Sequence, residues 1–104
     1  MEIHVRPAAP PELRDWDDFK AFKVVAHGFG SGAELHRALG EVGRTAADDG
    51  HVFVRVEWLQ EHAKSAPDPA DWRRRLGEMF DTAARHGWLD EAGQIRAHIE
   101  QRDE

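Results

Sequence analysis

Residues 20–34 read Lys20-Ala21-Phe22-Lys23-Val24-Val25-Ala26-His27-Gly28-Phe29-Gly30-Ser31-Gly32-Ala33-Glu34, and the rhythm of the chain changes at His27. Up to that point Phe22, Val24 and Ala26 alternate with Lys23, Val25 and His27, the period of an extended strand, and Val25 makes part of it apolar on both faces. Beyond it glycines interrupt the alternation, and Ser31 with Glu34 has the spacing of a capping box, in which each side chain satisfies an orphan N–H at a helix start. Leu35, Leu39 and Val42, extended by Ala38 and Ala46, then recur at helical spacing, and Gly50 after Asp48-Asp49 is a natural stop. A strand over 20–27 and a helix over 31–48 follow, the helix weakened by about 1 kcal/mol at each of Gly40 and Gly43.

The same two periods organise the rest of the chain. Ile3 and Val5 alternate with Glu2, His4 and Arg6, giving a strand over 1–6 that Pro7, Pro10 and Pro11 should stop, and the acidic stretch 12–18 reads as a loop with at most one helical turn. Val52, Val54 and Val56 alternate with Phe53, Arg55 and Glu57, predicting a strand over 51–57. Trp58, Leu59, His62 and Ala63 suit a short helix ended by Pro67 and Pro69. Asp68 or Asp71 caps a further helix over 69–86, with Trp72, Leu76, Met79, Phe80 and Ala83 as its apolar stripe and Gly87 as its stop. Ile95, Ala97 and Ile99 fit either a helix or a strand, and the turn chemistry of Asp90-Glu91-Ala92-Gly93 favours a strand over 94–100. The sum is a single α+β domain over 1–104, with about four strands in a largely antiparallel sheet and the helices mainly on one face.

At 104 residues the chain is too short for a TIM barrel or a full doubly wound dinucleotide fold, while 40% apolar and 33% charged residues suit a packed globular domain. A net charge of -6 repels a phosphate backbone, so nucleic acid is not an expected partner. With no cysteine there is no disulfide, thiolate nucleophile or Cys-ligated metal. No apolar run approaches the roughly 20 residues that span a bilayer, and no basic-then-apolar leader pattern opens the sequence, so the expectation is a cytoplasmic protein without a membrane partner.

Four constellations carry chemical interest. Gly28-x-Gly30-x-x-Ala33 resembles the dinucleotide-binding fingerprint, in which glycines let the backbone approach a pyrophosphate at a helix N-terminus. Gly28, Gly30, Ser31 and Gly32 are therefore candidate ligand-binding residues, with Glu57 in place of the ribose-binding carboxylate and Glu34 opposing any phosphate. The polar sides of the strands would place His4, Arg55, Glu57, Arg96, His98 and Glu100 on one sheet face, so His4 and His98 are candidate acid–base groups with Glu57 as the orienting carboxylate. Seven histidines show no pair at metal-ligand spacing on a helix, and no metal or cofactor is expected; a site assembled from separate elements is the one form that spacing does not display. Trp16, beside Phe19 in the acidic loop, is a candidate partner-binding residue, whereas Trp58, Trp72 and Trp88 are expected to anchor the core. Arg73-Arg74-Arg75, flanked by Asp68, Asp71 and Glu78, reads as a solvated helix face.

The leading expectation is a small binding, accessory or regulatory protein acting on a protein partner or through self-association. The alternatives are a small cofactor-free enzyme using His and Glu, and a nucleotide or phosphate-ligand binder at the Gly28 to Ala33 turn.

Overall fold

Alternation puts Ile3 and Val5 on one side of β1 (Glu2–Arg6) and Glu2 and His4 on the other, and the neighbouring strands extend both surfaces. The computed structural model describes residues 1–29, 31–48 and 50–102. Within them run β2 (Ala9–Arg14), β3 (Lys23–His27), α1 (Gly32–Leu39), β4 (Gly43–Thr45), β5 (His51–Val54), α2 (Val56–Glu61), α3 (Pro69–Arg85) and β6 (Ile95–Arg102), with single turns of 3-10 helix after α1 and α2. The strands form one six-stranded sheet in the order β2-β1-β3-β6-β5-β4. β1 and β6 each run parallel to the central β3, and the outer pairings are antiparallel.

The domain is α+β as expected, but the sheet has six strands rather than four and is mixed rather than largely antiparallel. Both additional strands lie at edges. β2 tolerates Pro10 and Pro11 because an edge strand need not donate every N–H, and both prolines fall where the register shifts between His4 and Arg6. β4 occupies residues expected to be helical. Gly40, at φ 54, ends α1, and Gly43 lets the chain close against the backbone of Phe53. The strand expected over 51–57 ends at Val54, since α2 starts at Val56 and carries Leu59 into the core, with Ala63 following in the next turn. α3 keeps its expected place, with Pro69 in the first turn and Asp68 accepting the Asp71 N–H at 3.1 Å.

One apolar cluster joins Ile3, Val5, Val24, Ala26, Val52, Val54, Ile95, Ala97 and Ile99 of the sheet to Leu35, Leu39, Leu59, Trp72, Leu76 and Ala83 of the three helices. The helices therefore cover that face. The opposite face carries, by register, Glu12 and Arg14, then Glu2 and His4, then Lys23, Val25 and His27, then His98, Glu100 and Arg102, then His51 and Phe53. No helix among the described residues is long and apolar enough to cross a membrane.

Candidate functional site

On the open face, strand parity places Glu2 and His4 side by side. His4 Nε2 lies 2.8 Å from Glu2 Oε1, and His4 Nδ1 lies 2.8 Å from His27 Nε2. A carboxylate only accepts, so His4 donates from Nε2, and in a neutral His4 ring Nδ1 then accepts from the Nε2–H of His27. The two rings stack at 5.0 Å, and His4 and His27 are 3% and 2% exposed. Lys23 Nζ sits 3.1 Å from Glu100 and 3.7 Å from Glu2, and Arg102 closes on Glu100 at 2.7 Å. This chain of paired groups lies on the sheet face opposite the helices, and both of its imidazoles are buried.

The hydrogen bond from His4, helped by the Lys23 ammonium and opposed by burial, holds the Glu2 carboxyl below its ordinary range. The hydrogen bond from Lys23, with that of Arg102, does the same for Glu100. A carboxyl depressed in the fold contributes stability above its unfolded value, near 4.5 here, and that contribution is lost as pH falls through the folded value. Stability should therefore fall below about pH 4.5, and Glu2→Gln should flatten that fall. Denaturant unfolding at a series of pH values checks it; equal slopes for both proteins would contradict it.

The other candidate residues lie apart from this chain. Glu57 stands in the first turn of α2, 3.9 Å from Arg55, and neither His4 nor His98 has it as a hydrogen-bond or ion-pair partner among the described residues. His98 instead faces His51 across β5 and β6. At the glycine-rich turn, Gly28 has φ 73 and donates its N–H to the Arg102 carbonyl at 3.0 Å. Ser31 caps α1, its Oγ accepting the Glu34 N–H at 3.2 Å, and Gly32 is the first helical residue. Gly30 lies outside the described residues. Ser31 and Gly32 border a hollow of about 250 Å³ together with Phe29, Leu35 and Thr45.

A larger, open groove of about 950 Å³ runs between α3 and the segment joining β2 to β3. Phe19, Phe22, Met79, Ala83, Trp88 and Ile95 supply its apolar wall, and Asp17, Asp18, Lys20, Arg75 and Glu78 its charges. The segment is tied to the helix. The Trp72 indole N–H donates to the Trp16 carbonyl at 2.8 Å, and Arg75 donates to the Asp17 carbonyl at 3.0 Å. Arg75 also lies 4.7 Å over the Phe19 ring, which packs on Trp72 at 5.7 Å, and the Met1 ammonium donates to the Asp18 carbonyl. Trp16 itself is 40% exposed.

Trp88, expected in the core, is 41% exposed. Gly87, at φ 72, turns the chain out of α3, and the Trp88 ring stacks on His86 at 4.5 Å along the groove. Trp72 does anchor the core, and Trp58 is half-buried against His62. The signal for Trp88 was its position just after the helix stop, where an apolar stripe no longer dictates direction.

No family model, curated protein or solved structure matches this chain. The chemistry of the two surfaces distinguishes them. The charges around Glu2, Lys23, Glu100 and Arg102 neutralise one another, as on a solvated sheet face. In the groove, Asp18 Oδ1 accepts the Lys20 backbone N–H and Glu78 pairs with Arg74, while the side chains of Asp17 and Lys20 make no ion pair among the described residues.

Proposed function

We propose that this protein is a small binding module, accessory or regulatory in role, that holds a protein partner through an apolar side chain seated in the groove between α3 and residues 16–22. The observation that carries this reading is the placing of the exposed aromatics. The exposed large hydrophobic side chains among the described residues are Trp16 and Trp88; Trp88 lines the groove and Trp16 directly precedes Asp17 on its rim. Tryptophan beside an apolar recess is the composition of a binding hot spot. An open groove suits a protruding segment better than a small molecule, which needs most of its surface enclosed. Lys20, which makes no side-chain ion pair among the described residues, favours a segment with an acidic residue beside its apolar anchor.

Selection of random peptides displayed on phage against the folded protein tests this. Enriched peptides should share an aromatic or aliphatic anchor near Asp or Glu. Trp88→Ala should weaken them by about 2 kcal/mol, roughly thirtyfold, while Glu12→Gln on the sheet face leaves them unchanged. Peptides that bind Trp88→Ala as tightly as the parent, or no enrichment, would remove the groove from consideration.

A further inference from the structure

We propose that His51 and His98 form a binding site for a single Zn2+ or Cu2+ ion on the open face of the sheet. The two residues are direct partners across the antiparallel pair β5 and β6, so their side chains leave the sheet on the same side. The Ile99 N–H donates to the Gly50 carbonyl at 3.1 Å, which makes residues 50 and 99 a hydrogen-bonded couple. Couples alternate along an antiparallel ladder, so His51 and His98 occupy the non-hydrogen-bonded position, where opposed side chains stand closest. Their ring centroids are 5.8 Å apart. Two imidazoles bound to one ion through nitrogens at about 2.0–2.1 Å have centroids roughly 5–6 Å apart, so the observed separation already fits.

The hydrogen bonding points the same way. His51 Nδ1 lies 3.0 Å from Asp48 Oδ2 and donates to it, which leaves the Nε2 lone pair bare. A carboxylate fixing one ring nitrogen while the other takes the metal is the usual outer partner of a ligating histidine. His98 is exposed and makes no hydrogen bond among the described residues, so both its nitrogens are available. The nearest cation by register, Lys23 opposite His98, is engaged with Glu100 and Glu2. No group of three or more metal-ligating side chains occurs among the described residues. The ion would thus keep positions for water or for a group from another molecule, and imidazole selects Zn2+ or Cu2+ over Mg2+ or Ca2+.

Titration of the whole protein with Zn2+ and, separately, Cu2+, followed by NMR of the histidine side chains and by calorimetry, tests the proposal. One ion per chain should perturb the rings of His51 and His98 ahead of the other five histidines. His51→Ala and His98→Ala should each lower affinity more than tenfold, and Asp48→Asn about tenfold with the stoichiometry kept. Mg2+ should change nothing. Wild-type affinity in His98→Ala, first binding at another histidine, or no binding at millimolar metal would overturn it. None of these readouts depends on the groove.

Discussion

Gly43→Ala should cost about 3 kcal/mol of stability, at the upper end of what overpacking a well-filled site costs. A Cβ built at Gly43 would lie 1.9 Å from the Phe53 carbonyl oxygen, 2.9 Å from its carbon and 3.1 Å from the Val54 Cα. All three atoms are backbone, so no side chain can swing aside. Backbone strain is not the cause, because Gly43, at φ 164, is extended as any residue can be. β4 must therefore withdraw from β5, giving up the pairs of Gly43 with Val54, Arg44 with Phe53 and Thr45 with Val52. The Arg55 N–H loses the Val42 carbonyl it reaches at 2.7 Å, and fully buried Val42 is pulled from the core. Gly77→Ala is the matched control. It sits inside α3 with nothing within 4 Å of an added Cβ, and should gain about 1 kcal/mol from helix propensity. Urea unfolding should move the two midpoints in opposite directions; a Gly43→Ala midpoint equal to the parent's would disprove the close approach. If Gly43→Ala denatures too readily for a midpoint, faster amide exchange at Arg55 than at Val24 reports the same withdrawal.

The elements legible in the sequence are those whose period is backed by a punctuating residue. The strand ending at His27, the Ser31 cap, the Asp68 cap with its stripe from Trp72 to Ala83, and the closing strand around Ile95 to Ile99 all have both. β2 was hidden because Pro10 and Pro11 stop a strand only where its N–H groups are needed, and an edge position is not written in the local sequence. β4 was hidden because Val42 serves a helical stripe and a turn into a strand equally well. Val56 continued the alternation of β5, yet the burial of Leu59 and Ala63 outweighed it.

The site divides along the same line. Strand parity puts His4 on the face opposite the helices and puts Glu2, two residues away, beside it, whereas Glu57 lies beyond the end of β5 in α2. What parity cannot supply is register. His27 reaches His4 because β1 and β3 run parallel, and His51 meets His98 because β5 and β6 pair at those residues. Both are long-range facts, carried by how many apolar side chains a given pairing buries rather than by any local motif.

Trp72 links the core to the groove, and replacing it should separate folding from binding. It is 2% exposed among Leu76, Ala83 and the sheet residues, so Trp72→Ala should lose 3–5 kcal/mol, a large part of the roughly 5–15 kcal/mol that holds a domain of this size. Trp72→Phe keeps an aromatic ring in the core but removes the N–H that holds the Trp16 carbonyl at 2.8 Å. That variant should lose about 1–2 kcal/mol of stability through the missing hydrogen bond and the smaller ring. Its larger effect should fall on the groove. Without the bond the rim from Trp16 to Phe19 relies on Arg75 and the Met1 ammonium, and a rim that must be ordered on binding weakens the complex by its ordering cost. Peptides selected against the parent should thus bind folded Trp72→Phe about tenfold more weakly, with dissociation faster rather than association slower. The same affinity for Trp72→Phe as for the parent would show that the rim keeps its shape without this bond. Weaker binding that tracks only the fraction unfolded would show that Trp72 serves the core alone.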